Sequence, residues 1–368
     1  MGSFDYLSAF YDTRHSADTI IRELDSLLSA QDLNVRAIPF GCELGSVDWL
    51  DERIAKDRHV ILLWKSGRLS AFRLSYKFKE NEHEQQNTGQ FFVIQHEQYS
   101  NVFIALSIEP SDFYRRALLP LIHSLYPRVM MTFITHKKLR RLLESFKSRG
   151  NFTDLVITRA SQRLRFQESK QARHIMPVVS WPEMTLSQAF DWVHEQNGWF
   201  ESLTFEAKRE HRVLGDISFT RQGVIRTDAM MGRVFESFLT PVCKTIHENI
   251  QLFSHRARLE RSDLSTRPLI IDFEENQFED VEENKRFIQA MRQLRTASIS
   301  VLHGNPYVQL SILDYFDGSA FDLWILDQRQ IVIVPQLKGS VPAIKRLINH
   351  IFDNYAEGHL VNYREGAR

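Results

Sequence analysis

Residues 301–326 read "VLHGNPYVQLSILDYFDGSAFDLWIL". A histidine, an Asn-Pro pair, three aspartates and two glycines lie between apolar runs, which suits either a metal site or the turns of a sheet. Asn305-Pro306 and Asp317-Gly318 are turn dipeptides, because proline fixes φ and glycine accepts the positive φ of a tight turn. "YVQLSIL", "SAFDLWIL" and "QIVIVPQ" are β-rich runs of ordinary strand length. The spacing predicts a three-stranded meander followed by a helix over "VPAIKRLINHIFDNYAEG". Asp314, Asp317 and Asp322 then fall at strand ends and turns. A metal site would need His303 to converge with these carboxylates, and no ligand-spaced helix or EF-hand loop accompanies them, so no metal ligand is expected.

The chain has 368 residues. At about 150 residues per domain that predicts two domains. Its 46 basic and 46 acidic side chains cancel, so any nucleic acid must be met by a local patch and not by a global field. Cys42 and Cys243 lie far apart, which argues against zinc ligation, CxxC chemistry and a disulfide framework. The start, "MGSFDYLSAFYDTRH", lacks the basic and apolar regions of a leader, and "VILLW" and "ALLPLI" are too short to span a bilayer. A soluble cytoplasmic protein with no membrane partner and no cofactor is expected.

Strand and helix patterns alternate throughout. "SADTIIRELDSLLSAQ" places Ile20, Ile21, Leu24, Leu27 and Leu28 on one helical stripe behind a cap at Ser16. "HVILLWKSGRLSAFRLSYKF" reads as a hairpin, "KENEHEQQNTG" as a solvated loop, and "QFFVIQ" and "NVFIALSI" as strands. "SDFYRRALLPLIHSLY" reads as a helix kinked or ended by Pro120, and "HKKLRRLLESFKSRG" as one stopped by Gly150. Further on, Thr185 and Gln188 have capping-box spacing, and "WFESLTFEAK", "VLGDISFTRQGVIRT" and "RPLIIDF" read as strands. The prediction is a mixed α+β fold of two domains, each a mixed or antiparallel sheet with packed helices, ending in the β-meander and its helix. The boundaries are 1–166 for an N-terminal domain carrying a basic helix and hairpin, 167–184 for a Pro-broken linker, and 185–368 for the C-terminal domain. "LVITRASQRLR" and "ISFTRQGVIRT" echo one another, which two hairpins with exposed arginines explain more simply than a duplication.

No complete catalytic motif occurs. "FEAK" puts Glu206 and Lys208 on one strand face and resembles the Glu-x-Lys half of metal-dependent nucleases of the PD-(D/E)xK type. There the carboxylate would bind the cation and the lysine would orient water. The preceding acid is out of place, since Asp191 falls inside a predicted helix, and a strand face of opposite charges explains the pair more simply. "THKKLRR" resembles the HxK element of phospholipase-D-type enzymes, but Leu143 stands where the aspartate belongs and no second copy exists.

Charge is distributed unevenly. Lys137, Lys138, Arg140, Arg141, Lys147, Arg149, Arg159, Arg163 and Arg165 form a basic stretch, and Glu274, Glu275, Glu279 and Asp280 lie in an acidic one. Solvated faces, or two patches meeting each other, account for both. A basic helical ridge can also hold a nucleic-acid backbone without reading sequence. The leading expectation is a non-catalytic component of a larger intracellular complex. It would touch nucleic acid through the basic stretch and a protein partner, or a second copy, through the acidic one, in a context such as bacterial antiviral defence or a DNA transaction. The alternatives are the nuclease and a structural protein-protein adaptor.

Overall fold

A computed structural model of the chain describes residues 10–11, 13–42, 54, 59–80, 83–125, 129–164, 183–196, 198–210, 212–254, 268–336 and 338–362. Among these residues the fold is mixed α+β, with two antiparallel sheets of eleven and six strands. They divide into two compact units, one running to His247 and the other from Glu248 onward.

The first unit opens with α1 (Ala17–Ala30). The Ser16 hydroxyl accepts from the Thr19 N–H, and the Thr19 hydroxyl accepts from the Ser16 N–H in return, which settles two donors left over at the helix start. Ile20, Leu24, Leu27 and Leu28 are buried, as the helical stripe predicts. There follow β1 (Val35–Cys42), β2 (Val60–Ser66), β3 (Leu69–Glu80), β4 (His83–Gln95) and β5 (Val102–Ser107). The tract expected as a solvated loop is largely strand, because β3 and β4 stay in register out to Glu80 opposite His83. Its polarity marks hairpin arms reaching beyond the core, with Gln86, Asn87 and Thr88 exposed.

Helix α2 comprises Ser111–Phe113, a π-turn over Tyr114–Leu118, and Leu119–Ser124. Pro120 does not end it. Proline lacks an N–H and clashes with the carbonyl four residues back, and the wider π-turn just upstream gives room for both. β6 (Val129–Met131), α3 (His136–Arg149), β7 (Asp154–Leu164), β8 (Met184–Thr185) and α4 (Leu186–Glu195) come next. The Thr185 hydroxyl accepts from the Gln188 N–H, as the capping-box spacing predicts. Then come β9 (Gly198–Arg209), β10 (Arg212–Thr220), β11 (Ile225–Thr227) and α5, whose Met231–Val234, π-turn Phe235–Leu239 and Thr240–Ser254 repeat the build of α2. Pro241, like Pro120, is the second residue after the π-turn. The internal likeness therefore pairs these two strand–helix passages and not the Thr-Arg echo: Thr158-Arg159 lies within one long strand, and Arg221 follows the last residue of β10. Arg221 is no exposed hairpin arginine either; it is among the largest fully buried side chains.

The strand order is β2-β3-β4-β5-β1-β11-β10-β9-β7-β8, with β6 also on β1. Most of the segment expected as a linker lies outside the described residues, and strands from both sides of it share this one sheet. The division between compact units falls instead at His247, because β9, β10 and β11 close back onto β7 and β1.

The second unit holds β12 (Leu269–Phe273), α6 (Val281–Met291), β13 (Ala297–His303), β14 (Val308–Asp314), β15 (Ala320–Ile325), β16 (Gln330–Pro335), α7 (Val341–Asn354) and β17 (Gly358–Asn362), in sheet order β13-β14-β15-β16-β12-β17. The meander has a fourth strand, β13, and continues into α7. Leu310, Ile312, Phe321, Leu323, Ile331 and Ile333 alternate inward, with the stripe Ile344, Leu347, Ile348 and Ile351 of α7 also buried. Each such side chain contributes about 1.5–3 kcal/mol.

The stretch that opened the question resolves into turns. Gly318 has φ +70°, and the Asp317 carboxylate accepts from the Ser319 N–H at 2.9 Å. Asp314 is buried at the end of β14 and receives two 2.7 Å bonds from Arg346 of α7. Burial pushes its carboxyl up to about 6. Asp322 departs from the expectation, lying within β15 and accepting from Gln336 at 2.7 Å. His303 ends β13 on the exposed edge.

Candidate functional site

Pairing in the large sheet fixes what each strand presents. Arg36 of β1 stands opposite Arg226 of β11, Arg226 opposite Ser218 of β10, Ser218 opposite Thr204 of β9, and Thr204 opposite Arg159 of β7. Residues opposite one another share a face, so these five form one row across five strands. In the adjoining rows Asp216 stands opposite Glu206, and Lys208 lies one step further on the same side. The reverse face is apolar. Phe205 and Phe219 turn toward the helices there, 6.1 Å from the Phe146 ring of α3 and 4.7 Å from the Phe238 ring of α5.

Helix α2 lies on the other side of the sheet from α3 and α5. It packs against Ile38, Phe40 and Phe103 in one core cluster, and Ile38 and Phe40 alternate in phase with Arg36. The arginine row therefore starts beside α2, with the Tyr114 ring 5.8 Å from the Arg36 guanidinium. From there it crosses a half-buried polar floor, where Thr204 and Ser218 share a hydrogen bond of 2.8 Å and Ser161 and Ser202 one of 2.7 Å.

The electrostatics of the row are only partly compensated, by Asp216. Like charges directly opposite on a sheet repel, and a partly buried guanidinium without a close anion is costly. Arg36 donates to the Glu109 carbonyl at 3.0 Å; burial first, then Arg226 and Arg115, push its pKa down. Arg226 comes within 3.4 Å of Asp216, and among the described residues its buried Nε has no hydrogen-bond partner. Burial pushes the Asp216 carboxyl up, against the pull of Arg226 and with the further push of Asp228 and Glu206. Two cations and one weakened anion meet at the seam.

The basic stretch of the sequence is divided by the sheet. Arg159 and Arg163 lie on the arginine face, Arg163 with Glu201 at 4.0 Å. On the far side, α3 carries Lys137, Lys138, Arg140, Arg141, Lys147 and Arg149. Arg140 is held at 3.1 Å by both Glu144 and Asp191, and Lys147 at 2.9 Å by Asp154. Arg141 and Arg149 are exposed. Arg165 lies outside the described residues.

Glu206 and Lys208 do share a strand face, in an ion pair of 3.1 Å, and the acid beside them is Asp216, across the ladder, while Asp191 is engaged by Arg140. The acidic residues have local roles. Asp280 caps α6, Glu279 accepts from Asn276, and Glu274 pairs with His359 at 3.0 Å; Glu275 is exposed.

Near the Arg163 end of the face, the buried Arg221 guanidinium lies 4.1 Å from the Phe133 ring and 5.2 Å from the Trp199 ring, with Glu201 at 3.9 Å. Burial, helped by Arg221, pushes His136 at the start of α3 down to about 4. Sequence reasoning missed Arg36, Arg226 and Asp216. The signal for the two arginines was a lone arginine in each of two short strands, "VRAIPFGC" and "IRT".

No protein-family model matches the chain, and no curated protein is detectably similar to it. Among the described residues no helix is long and apolar enough to cross a membrane. No group of three His, Cys, Asp or Glu side chains among them could hold a metal ion.

Proposed function

We propose that the arginine face binds the phosphate backbone of a nucleic acid, without sequence reading and without catalysis, as one component of a larger complex. The observation that carries the reading is the in-register pair Arg36 and Arg226, two half-buried cations opposed across the seam, with Asp216 3.4 Å from Arg226. A phosphate against the accessible ends of the two guanidinium groups would relieve their repulsion. Arg159 and Arg163 extend the positive row along the strand ladder, and Thr204 and Ser218 offer hydroxyls to sugar and phosphate oxygens. A second reading rests on Asp216 opposite Glu206 with Lys208 beside them: two carboxylates, water and substrate phosphate can hold magnesium in a nuclease site. Titrating unrelated nucleic-acid sequences against salt, with and without magnesium, separates the two. Backbone binding gives similar affinities for all sequences and a steep salt slope without cleavage. Magnesium-dependent cleavage lost in Asp216→Asn would support the nuclease, and absence of binding would leave the adaptor.

A further inference from the structure

The six-stranded sheet ends in β13, which among the described residues pairs only with β14. Edge strands in stable monomers are usually short, charged, interrupted by proline or covered. β13 spans seven residues, Ala297–His303, with no proline and no Asp, Glu, Lys or Arg. Seven residues give a free edge of about 23 Å. Ser300, Val301, Leu302 and His303 are exposed, Leu302 to 56% and Val301 to 37%. A bulge between Val301 and His303 twists only its last turn away.

The side chains say which partner fits. Val301 and Ile299 stand opposite Leu310 and Ile312, and so point to the helix-covered side, while Ser298 and Ser300 point to the other. An antiparallel neighbour of identical sequence, centred on Ser300, would set Ile299 against Val301 twice over on the covered side, with Ser300 against Ser300 at the centre and Ser298 against Leu302 beside it. A β-branched residue then meets a β-branched residue in both halves of a two-fold contact, with no charge buried. We infer that β13 pairs with β13 of a second copy of this chain, making one continuous sheet through the dimer. The inference is independent of the arginine face.

Sedimentation of the full chain across a concentration series, with Ser300→Lys and Ser300→Cys beside it, tests this. The wild type is expected to be a dimer in reversible equilibrium. Ser300→Lys sets two ammonium groups against each other at an exposed position and is expected to sediment as a monomer with unchanged circular dichroism. Ser300→Cys is expected to cross-link to itself on mild oxidation, because paired antiparallel residues bring Cα atoms within disulfide reach. Cys42 and Cys243 are buried and leave the background clean. Ser311→Cys, one strand inward, is expected not to cross-link. A wild type that stays monomeric throughout, a Ser300→Lys protein that stays dimeric, or a dimeric Ser300→Cys protein that resists cross-linking would each overturn the inference.

Discussion

The two faces of the β7–β11 half of the large sheet treat charge in opposite ways. Toward α3 and α5 the strands present Phe205, Phe219 and Ile217, and His136, at the start of α3, is held neutral down to about 4. On the other side the same strands present Arg159, Arg226, Asp216, Glu206 and Lys208. The comparison also separates two kinds of basic residue. On α3, Arg140 and Lys147 have carboxylates within 3.1 Å, so their charge is already spent inside the fold. On the sheet, Arg36 and Arg226 face each other. A tally of lysines and arginines along the chain gives both groups equal weight. What marks the sheet face is two half-buried cations in register that share one carboxylate.

Acidification should break the comparison most strongly. His136 binds a proton in the unfolded chain below its ordinary value near 6.5, and in the folded chain only near 4. Its folded pKa is depressed, so the stability it contributes is present above 6.5 and lost as pH falls toward 4. The expected loss is on the order of 3 kcal/mol. Denaturant unfolding at a series of pH values checks it, with His136→Phe expected to flatten the curve over that window; an equal slope in the variant would place the acid sensitivity elsewhere.

Asp216 offers a smaller and sharper test. Because its carboxyl is raised, lowering the pH neutralises it before an ordinary aspartate and frees Arg226. Binding to nucleic acid should tighten as pH falls, and Asp216→Asn should bind about 3- to 10-fold more tightly at pH 7, since one removed countercharge is worth about 1 kcal/mol. The variant should also lose the pH dependence. Weaker binding by Asp216→Asn would mean that the carboxylate itself takes part in the ligand site, as the nuclease reading requires. The smallest effect belongs to α3: Arg141→Gln with Arg149→Gln should change affinity by less than about twofold, as exposed charges on the far side of the sheet are well screened.

Much of the architecture was legible because it is written locally. Asp317-Gly318 marks a tight turn whatever surrounds it, and the Thr185–Gln188 capping box and the α1 stripe need only a few neighbouring residues. The site was not legible, for a reason of the same kind. Arg36 and Arg226 meet only because β1 pairs with β11, and nothing in "VRAIPFGC" or "IRT" specifies that partner. The β9–β11 hairpins likewise return to a sheet begun in the other half of the chain, so a polar, Pro-broken stretch did not mark the division between units. Pro120 does not end its helix, because the proline rule assumes an α-helix and the π-turn just upstream relaxes it. Glu206 and Lys208 were placed on one face by period two alone, but their cross-strand neighbour Asp216 depends on register.

The most direct test of the central claim is the salt dependence of nucleic-acid affinity for the Arg36→Gln, Arg226→Gln double variant, read beside the Arg141→Gln, Arg149→Gln pair. If the sheet face carries the phosphate, removing its two seam cations should weaken binding on the order of 100-fold near 0.1 M salt and reduce the slope of log affinity against log salt by about 2, while the α3 pair leaves both nearly unchanged. An unaltered slope in the sheet variant, or the larger loss in the α3 variant, would contradict the account.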